Sequence, residues 1–127
     1  MKQKNILALA GLNGIAATAL AAIGSHAIKF EGKGQSLFDQ ATDFHFWHAL
    51  AMMGAMFLSQ WEQRKTASAA TSCFMLGILF FSGSLYWRAV MGPGSLGSFH
   101  WITPIGGLSF MAGWAALIIG AMKAKAE

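Results

Sequence analysis

Apolar residues run through this chain in four long blocks, near 5–28, 44–61, 66–87 and 103–122, separated by stretches where charge, Gly and Pro collect. Each block holds about 20 residues, the length of α-helix that crosses a hydrocarbon layer of about 30 Å. The pattern predicts an all-α membrane protein: a four-transmembrane-helix bundle, one membrane domain over 1–127, with outer loops at 29–43 and 88–102. Lys2 and Lys4 precede the first block as they would a signal peptide. The run from Ile6 to Ile23 is longer than a signal-peptide core, however, and its small residues are spread throughout, which favours a retained helix.

The boundaries carry local signals. In Ser36–Leu37–Phe38–Asp39 a Ser stands three positions before an acid, the pattern of a capping box opening an interfacial turn ahead of the second helix. The stretch Met91–Gly92–Pro93–Gly94–Ser95–Leu96–Gly97–Ser98 is dense in helix breakers and predicts an irregular loop. Thr103 suits an N-cap and Pro104 the first helical position of the last helix. Trp47, Trp61, Trp87 and Trp101 fall near the expected interfaces, where aromatic belts form.

Composition sharpens this picture. Apolar residues make up 55% of the chain and charged ones 11%, too little charge to cover the surface of a small soluble domain. Ten Phe, five Trp and eight Met equally exclude a solvated, disordered chain. The net charge of +4 lies in short groups beside the apolar blocks and forms no nucleic-acid footprint, so the lipid bilayer is the expected surround. Lys2, Lys4, Arg64, Lys65, Lys123 and Lys125 share one side of a four-span topology, against Lys29, Lys33 and Arg88 on the other. That bias places both termini in the cytoplasm. Cys73 stands alone in an apolar segment, so it forms neither an intrachain disulfide nor a Cys-based zinc site.

Lipid gives helices no hydrophobic reason to associate, so small residues that admit close backbone approach mark the seams. Ala10, Gly14, Thr18 and Ala22 recur every fourth position in the first block, and Gly106, Gly113 and Gly120 every seventh in the last. Gly77 and Ser84 repeat the seven-residue interval in the third, and Ala51 with Ala55 supplies the second. Such stripes also serve contact with a membrane-protein partner or a second copy of the chain.

All four histidines fall on the expected outer side, His26 ending the first helix, His45 and His48 beginning the second, and His100 preceding the fourth. His45 and His48 are three apart and share a helical face. His26 continues the Ala10–Gly14–Thr18–Ala22 stripe and should face the interior. A metal, haem or proton-handling site at the outer end would use these rings, with Asp43 and Arg88 close in depth; the plain structural reading is that they satisfy helix ends and loop carbonyls. No acid is expected mid-helix. Ser82, Ser84 and Tyr86 form the other polar group, Asn13 is the most polar residue deep in the first helix, and Trp114 is expected to reach a neighbouring helix through its indole N–H.

Four blocks together resemble a known family: Gly24–Ser25–His26–Ala27 with Lys29; His48–Ala49–Leu50; Phe81–Ser82–Gly83–Ser84–Leu85–Tyr86; and Thr103–Pro104–Ile105–Gly106–Gly107 with Gly113–Trp114. In order and spread they are similar to the bacterial YgdD/YwdK family. The resemblance implies a small multi-pass protein of the bacterial cytoplasmic (inner) membrane with four helices and no established biochemical activity. His45 and His100 match none of the family blocks, which leaves His26 with His48 as the sharper pair. The leading expectation is a non-enzymatic structural or accessory membrane component without a cofactor. The alternative is a binding module holding a metal, haem or quinone near His26 and His48; a small transporter or permeability factor comes third.

Overall fold

The computed structural model describes residues 1–125; Ala126 and Glu127, the end of the expected 1–127 domain, lie outside the described residues. Among the described residues the chain is helical throughout its regular structure, without strands. Helix α1 runs Gln3–His26, α2 Gly34–Gln60, α3 Arg64–Gly77, α4 Gly83–Met91 and α5 Ile102–Lys123. A π-helical turn, Ile78–Ser82, joins α3 to α4 in one rod from Arg64 to Met91, and the Gly83 N–H there reaches back to the Ile78 carbonyl. Gln3–His26, Arg64–Met91 and Gly97–Lys123 are each long and apolar enough to cross a membrane. α2 has comparable length, 27 residues, but carries Asp39, Asp43, His45 and His48 among its apolar positions.

α1 packs chiefly on α2, α5 chiefly on α3 and the π turn, and α2 and the rod pack on each other between them. Ile6, Met52, Ala55, Leu58, Phe74, Ile78 and Phe110 form the core of this arrangement. Large apolar residues such as Leu12, Ile15, Leu79, Leu108 and Ile118 point outward, as lipid-facing positions do. Close approach is made by glycine. A Cβ on Gly106 would strike the backbone of Phe80 and Phe81, on Gly113 the Phe74 ring, on Gly120 Leu58 and Thr66, and on Gly77 the Phe110 ring.

α2 closes on Glu62 in the left-handed conformation, φ 64°. The Gln63 N–H then bonds the Leu58 carbonyl at 2.8 Å and the Glu62 N–H bonds that of Ser59 at 3.3 Å, a Schellman closure without the usual glycine. The turn it makes leads straight into α3.

Several boundaries differ from the sequence reading. α2 begins at Gly34, so the expected 29–43 loop shrinks to a short connection, and Ser36 lies exposed within the helix with no capping bond. Gly34 admits this early start because it lies against the Ala89 carbonyl and Phe30, where a Cβ would approach to 2.9 Å. The third helix extends to Met91, and α5 begins at Ile102 with Trp101 at its N-cap, so Thr103 is not the cap. Trp47 stands at the middle of α2, exposed, and not at its end. The α1 stripe also turns differently. Ile6, Ala10, Asn13, Ala17 and Gly24 form its buried face, while Thr18 and Ala22 are exposed and a Cβ on Gly14 would meet nothing within 4 Å.

Candidate functional site

The polar centre of the bundle is a pair of imidazoles on α2. Because that helix starts at Gly34, His45 and His48 sit near its midpoint and not at its outer end. Both are buried. His48 stacks on the Phe110 ring of α5, centroids 3.6 Å apart and planes 12° from parallel, with Phe74 and Trp114 beside it. Its Nδ1 lies 2.7 Å from the Phe44 carbonyl and its Nε2 3.1 Å from the Trp114 indole nitrogen. A carbonyl only accepts and an indole N–H only donates, so His48 carries its proton on Nδ1 and accepts at Nε2. A ligand to Nε2 would first have to displace the indole.

His45 joins three helices. Its Nε2 is 3.0 Å from Oδ1 of Asn13 on α1, and its Nδ1 is 2.9 Å from the Tyr86 hydroxyl on α4. The Asn13 amide donates to the Leu9 carbonyl at 2.9 Å and to the Met75 sulfur at 3.4 Å, which orients its oxygen toward His45. The proton order follows: the Tyr86 hydroxyl donates to Nδ1, and Nε2–H donates to Asn13. Each ring nitrogen of both histidines is thus engaged by the protein itself. In an apolar surround, where an unpaired polar group is costly, such bonds hold helices in register.

The other expected site residues are placed apart. His26 is exposed at the end of α1, so the His26–His48 pair is not formed: the inward helix face runs through Asn13, Ala17 and Gly24 and leaves residue 26 outside. His100 is exposed and bonds the Gly97 carbonyl, and Arg88 Nε donates to the Pro93 carbonyl across its loop. Ser84 donates to the Phe81 carbonyl at 2.8 Å, so the Thr103 hydroxyl, 2.6 Å away, donates to it and ties α5 to α4. Ser82 is fully buried in the π turn, and among the described residues its hydroxyl has no hydrogen-bond partner. Among the described residues no group of three or more His, Cys, Asp or Glu stands close enough to share a metal ion.

Trp114 reaches a neighbouring helix through its indole N–H, as its position predicts, with His48 as the partner that the sequence does not name; Asn13 joins the centre although it is not among the candidate site residues. A single amide halfway along an apolar helix was the available signal for Asn13. A second correction concerns charge: Asp43 lies ten positions inside α2 and exposed, so an acid does stand well within a helix.

Comparison with known proteins adds the family context. A family model described as "Protein of unknown function (DUF423)" matches residues 20–107. The chain is 37% identical over 127 residues to a UPF0382 membrane protein of Haemophilus influenzae, covering 98% of each. It is 32% identical over 127 residues to the UPF0382 inner membrane protein YgdD of Escherichia coli, covering 98% of this chain and 95% of the relative. To the UPF0382 membrane protein YwdK of Bacillus subtilis it is 31% identical over 124 residues, covering 94% and 98%. No solved structure matches.

Proposed function

The chain belongs to the DUF423 (UPF0382) family of bacterial membrane proteins, and on that premise we propose that it is a non-catalytic accessory component of the inner membrane that docks on another membrane protein through α1. In this reading α2 is the fourth span, and the greater number of Lys and Arg beside the termini and the α2–α3 turn keeps both termini cytoplasmic.

The observation that carries the reading is the uncovered face of α1. Gly11, Gly14, Thr18, Ala21, Ala22 and Ser25 project to one side of the helix, away from the Ile6–Asn13–Ala17 face packed on α2. Small residues are how helices approach each other in lipid, and here most of such a face is exposed among the described residues, bordering α2 only along Thr18 and Ala21. The histidine centre supports the same view, since its bonds are spent on holding helices together.

Extraction of the full-length protein from native membranes in mild detergent tests this. We expect an assembly larger than the lone chain that disperses in the double variant Gly14→Leu, Ala22→Leu. A lone monomer from the unaltered protein would overturn the proposal, as would an assembly indifferent to the double variant.

A further inference from the structure

α1 and the rod begin side by side, and both begin against the usual preference for charge. A helix start favours acids, because its leading N–H groups have no carbonyl a turn earlier to meet and carry partial positive charge. α1 opens after Lys2 with Gln3 and Lys4, and the rod opens with Arg64 and Lys65; neither first turn holds an acid, and no side chain caps either start. The Met1 nitrogen donates to the Ser68 hydroxyl at 2.7 Å, which holds the beginning of α1 beside α3. Between them lies a cleft of about 820 Å³, lined by Lys2, Lys4, Asn5, Ser59 and Arg64 and, among the described residues, by no acid. Glu62, the acid nearest to Arg64 in the chain, lines a separate hollow with Lys65 and Lys123. Ser59, in the last turn of α2, brings to the cleft a hydroxyl that is closed to solvent and has no hydrogen-bond partner among the described residues.

The depth of the cleft follows from the helices that open on it, both long and apolar enough to cross a membrane. At 1.5 Å per residue the 24 residues of α1 span about 36 Å and the 28 of the rod about 42 Å, against about 30 Å of hydrocarbon. Lys2, Lys4 and Arg64 therefore stand at headgroup depth. Three cations, two uncapped helix starts and an unpaired hydroxyl together suit a tetrahedral anion with several oxygens, and Arg64 can engage two of these at once. A positive flank that only sets orientation needs a count of charges and nothing more. Here the charges line one hollow, the form in which basic pockets between membrane helices hold lipid headgroups. Exposed Leu7, one turn beyond Lys4, and exposed Trp61, at the end of α2, supply apolar surface next to it.

We infer that the cleft between the starts of α1 and α3 is a phosphate-binding site at the membrane surface, in which Lys2, Lys4 and Arg64 hold the charge and Ser59 donates to a phosphate oxygen. It does not depend on the docking reading, since it concerns helix ends and not the outward face of α1.

Native mass spectrometry of the full-length protein in neutral detergent tests this, with phosphatidylglycerol, phosphatidylethanolamine and inorganic phosphate titrated separately. Saturable binding of phosphatidylglycerol, with phosphatidylethanolamine about tenfold weaker because its amine cancels the charge, identifies a lipid headgroup as the ligand. Saturable binding of inorganic phosphate without a preference for phosphatidylglycerol identifies a soluble anion, and either result supports the site. The tighter ligand should weaken roughly fivefold in each of Lys4→Gln and Arg64→Gln, persist in Arg64→Lys, and weaken in Ser59→Ala, which changes no charge. Lys29→Gln with Lys33→Gln, which removes charge from the opposite end, should leave it unchanged. Thermal midpoints measured without ligand should be no lower in the variants, which separates a lost ligand from a lost fold. Equal weakening from both ends, or none in Ser59→Ala, would overturn the site in favour of a diffuse basic flank. No saturable binding of either anionic probe would overturn it outright.

Discussion

The indole N–H of Trp114 on α5 donates to Nε2 of His48 on α2 at 3.1 Å, while the other nitrogen of that ring is held by the Phe44 carbonyl. The bond joins the midpoints of two helices that also meet through the His48–Phe110 stack and where Gly120 lies against Leu58. Trp114→Phe keeps most of the apolar contact and leaves a buried ring nitrogen unpaired, a loss of about 1 kcal/mol. Combined with His48→Phe it should cost less than the two single changes added, by about 0.6 kcal/mol. Unfolding titrations of the four proteins in detergent measure this, and strict additivity would remove the bond from the energetics.

His26 and His48 should behave as strangers. One is exposed at a helix end and the other is buried with both nitrogens engaged. Replacing each by Ala singly and together should give stabilities that add to within about 0.5 kcal/mol. A larger coupling would restore the shared site that their sequence blocks suggest.

Glycines of the two outer helices should separate sharply. Gly106→Ala drives a methyl into the backbone of Phe80 and Phe81 and should cost about 1–3 kcal/mol. At Gly14 the same change meets open space, and the better helix propensity of Ala should leave stability unchanged or raise it by up to about 1 kcal/mol. Thermal midpoints in one detergent suffice to compare them.

Glu62 occupies a backbone conformation that favours glycine. Glu62→Gly should stabilise the α2–α3 turn by about 0.5–1 kcal/mol, while Glu62→Val should destabilise it. Equal stabilities for the two variants would show that the left-handed turn carries no strain.

The spans along α1, the rod and α5 were legible because their apolar residues are contiguous in the chain. The seam of α5 was legible too: Gly106, Gly113 and Gly120 return to one face every seven residues, and one face is what meets α3 and the π turn. α2 was only half legible. Its first ten positions are polar enough to read as a loop, yet they continue the helix because Gly34 nests against Phe30 and the Ala89 carbonyl. A helix start at Phe44 puts His45, Trp47 and His48 at a helix end, whereas they lie near the midpoint of α2. On α1, a regular stripe of small residues suggested an interior face, but the same residues serve equally on a face turned outward.

From residues alone, then, come the membrane setting, the helical class and the family, because hydropathy and short blocks are properties of neighbours along the chain. Which face of each helix turns inward, and at what depth each polar group lies, depend instead on contacts between distant segments. Asn13 meets His45 across 32 residues and His48 meets Trp114 across 66. A helix rotates about its axis at little cost until such a partner stops it, and local sequence carries no record of where that partner stands.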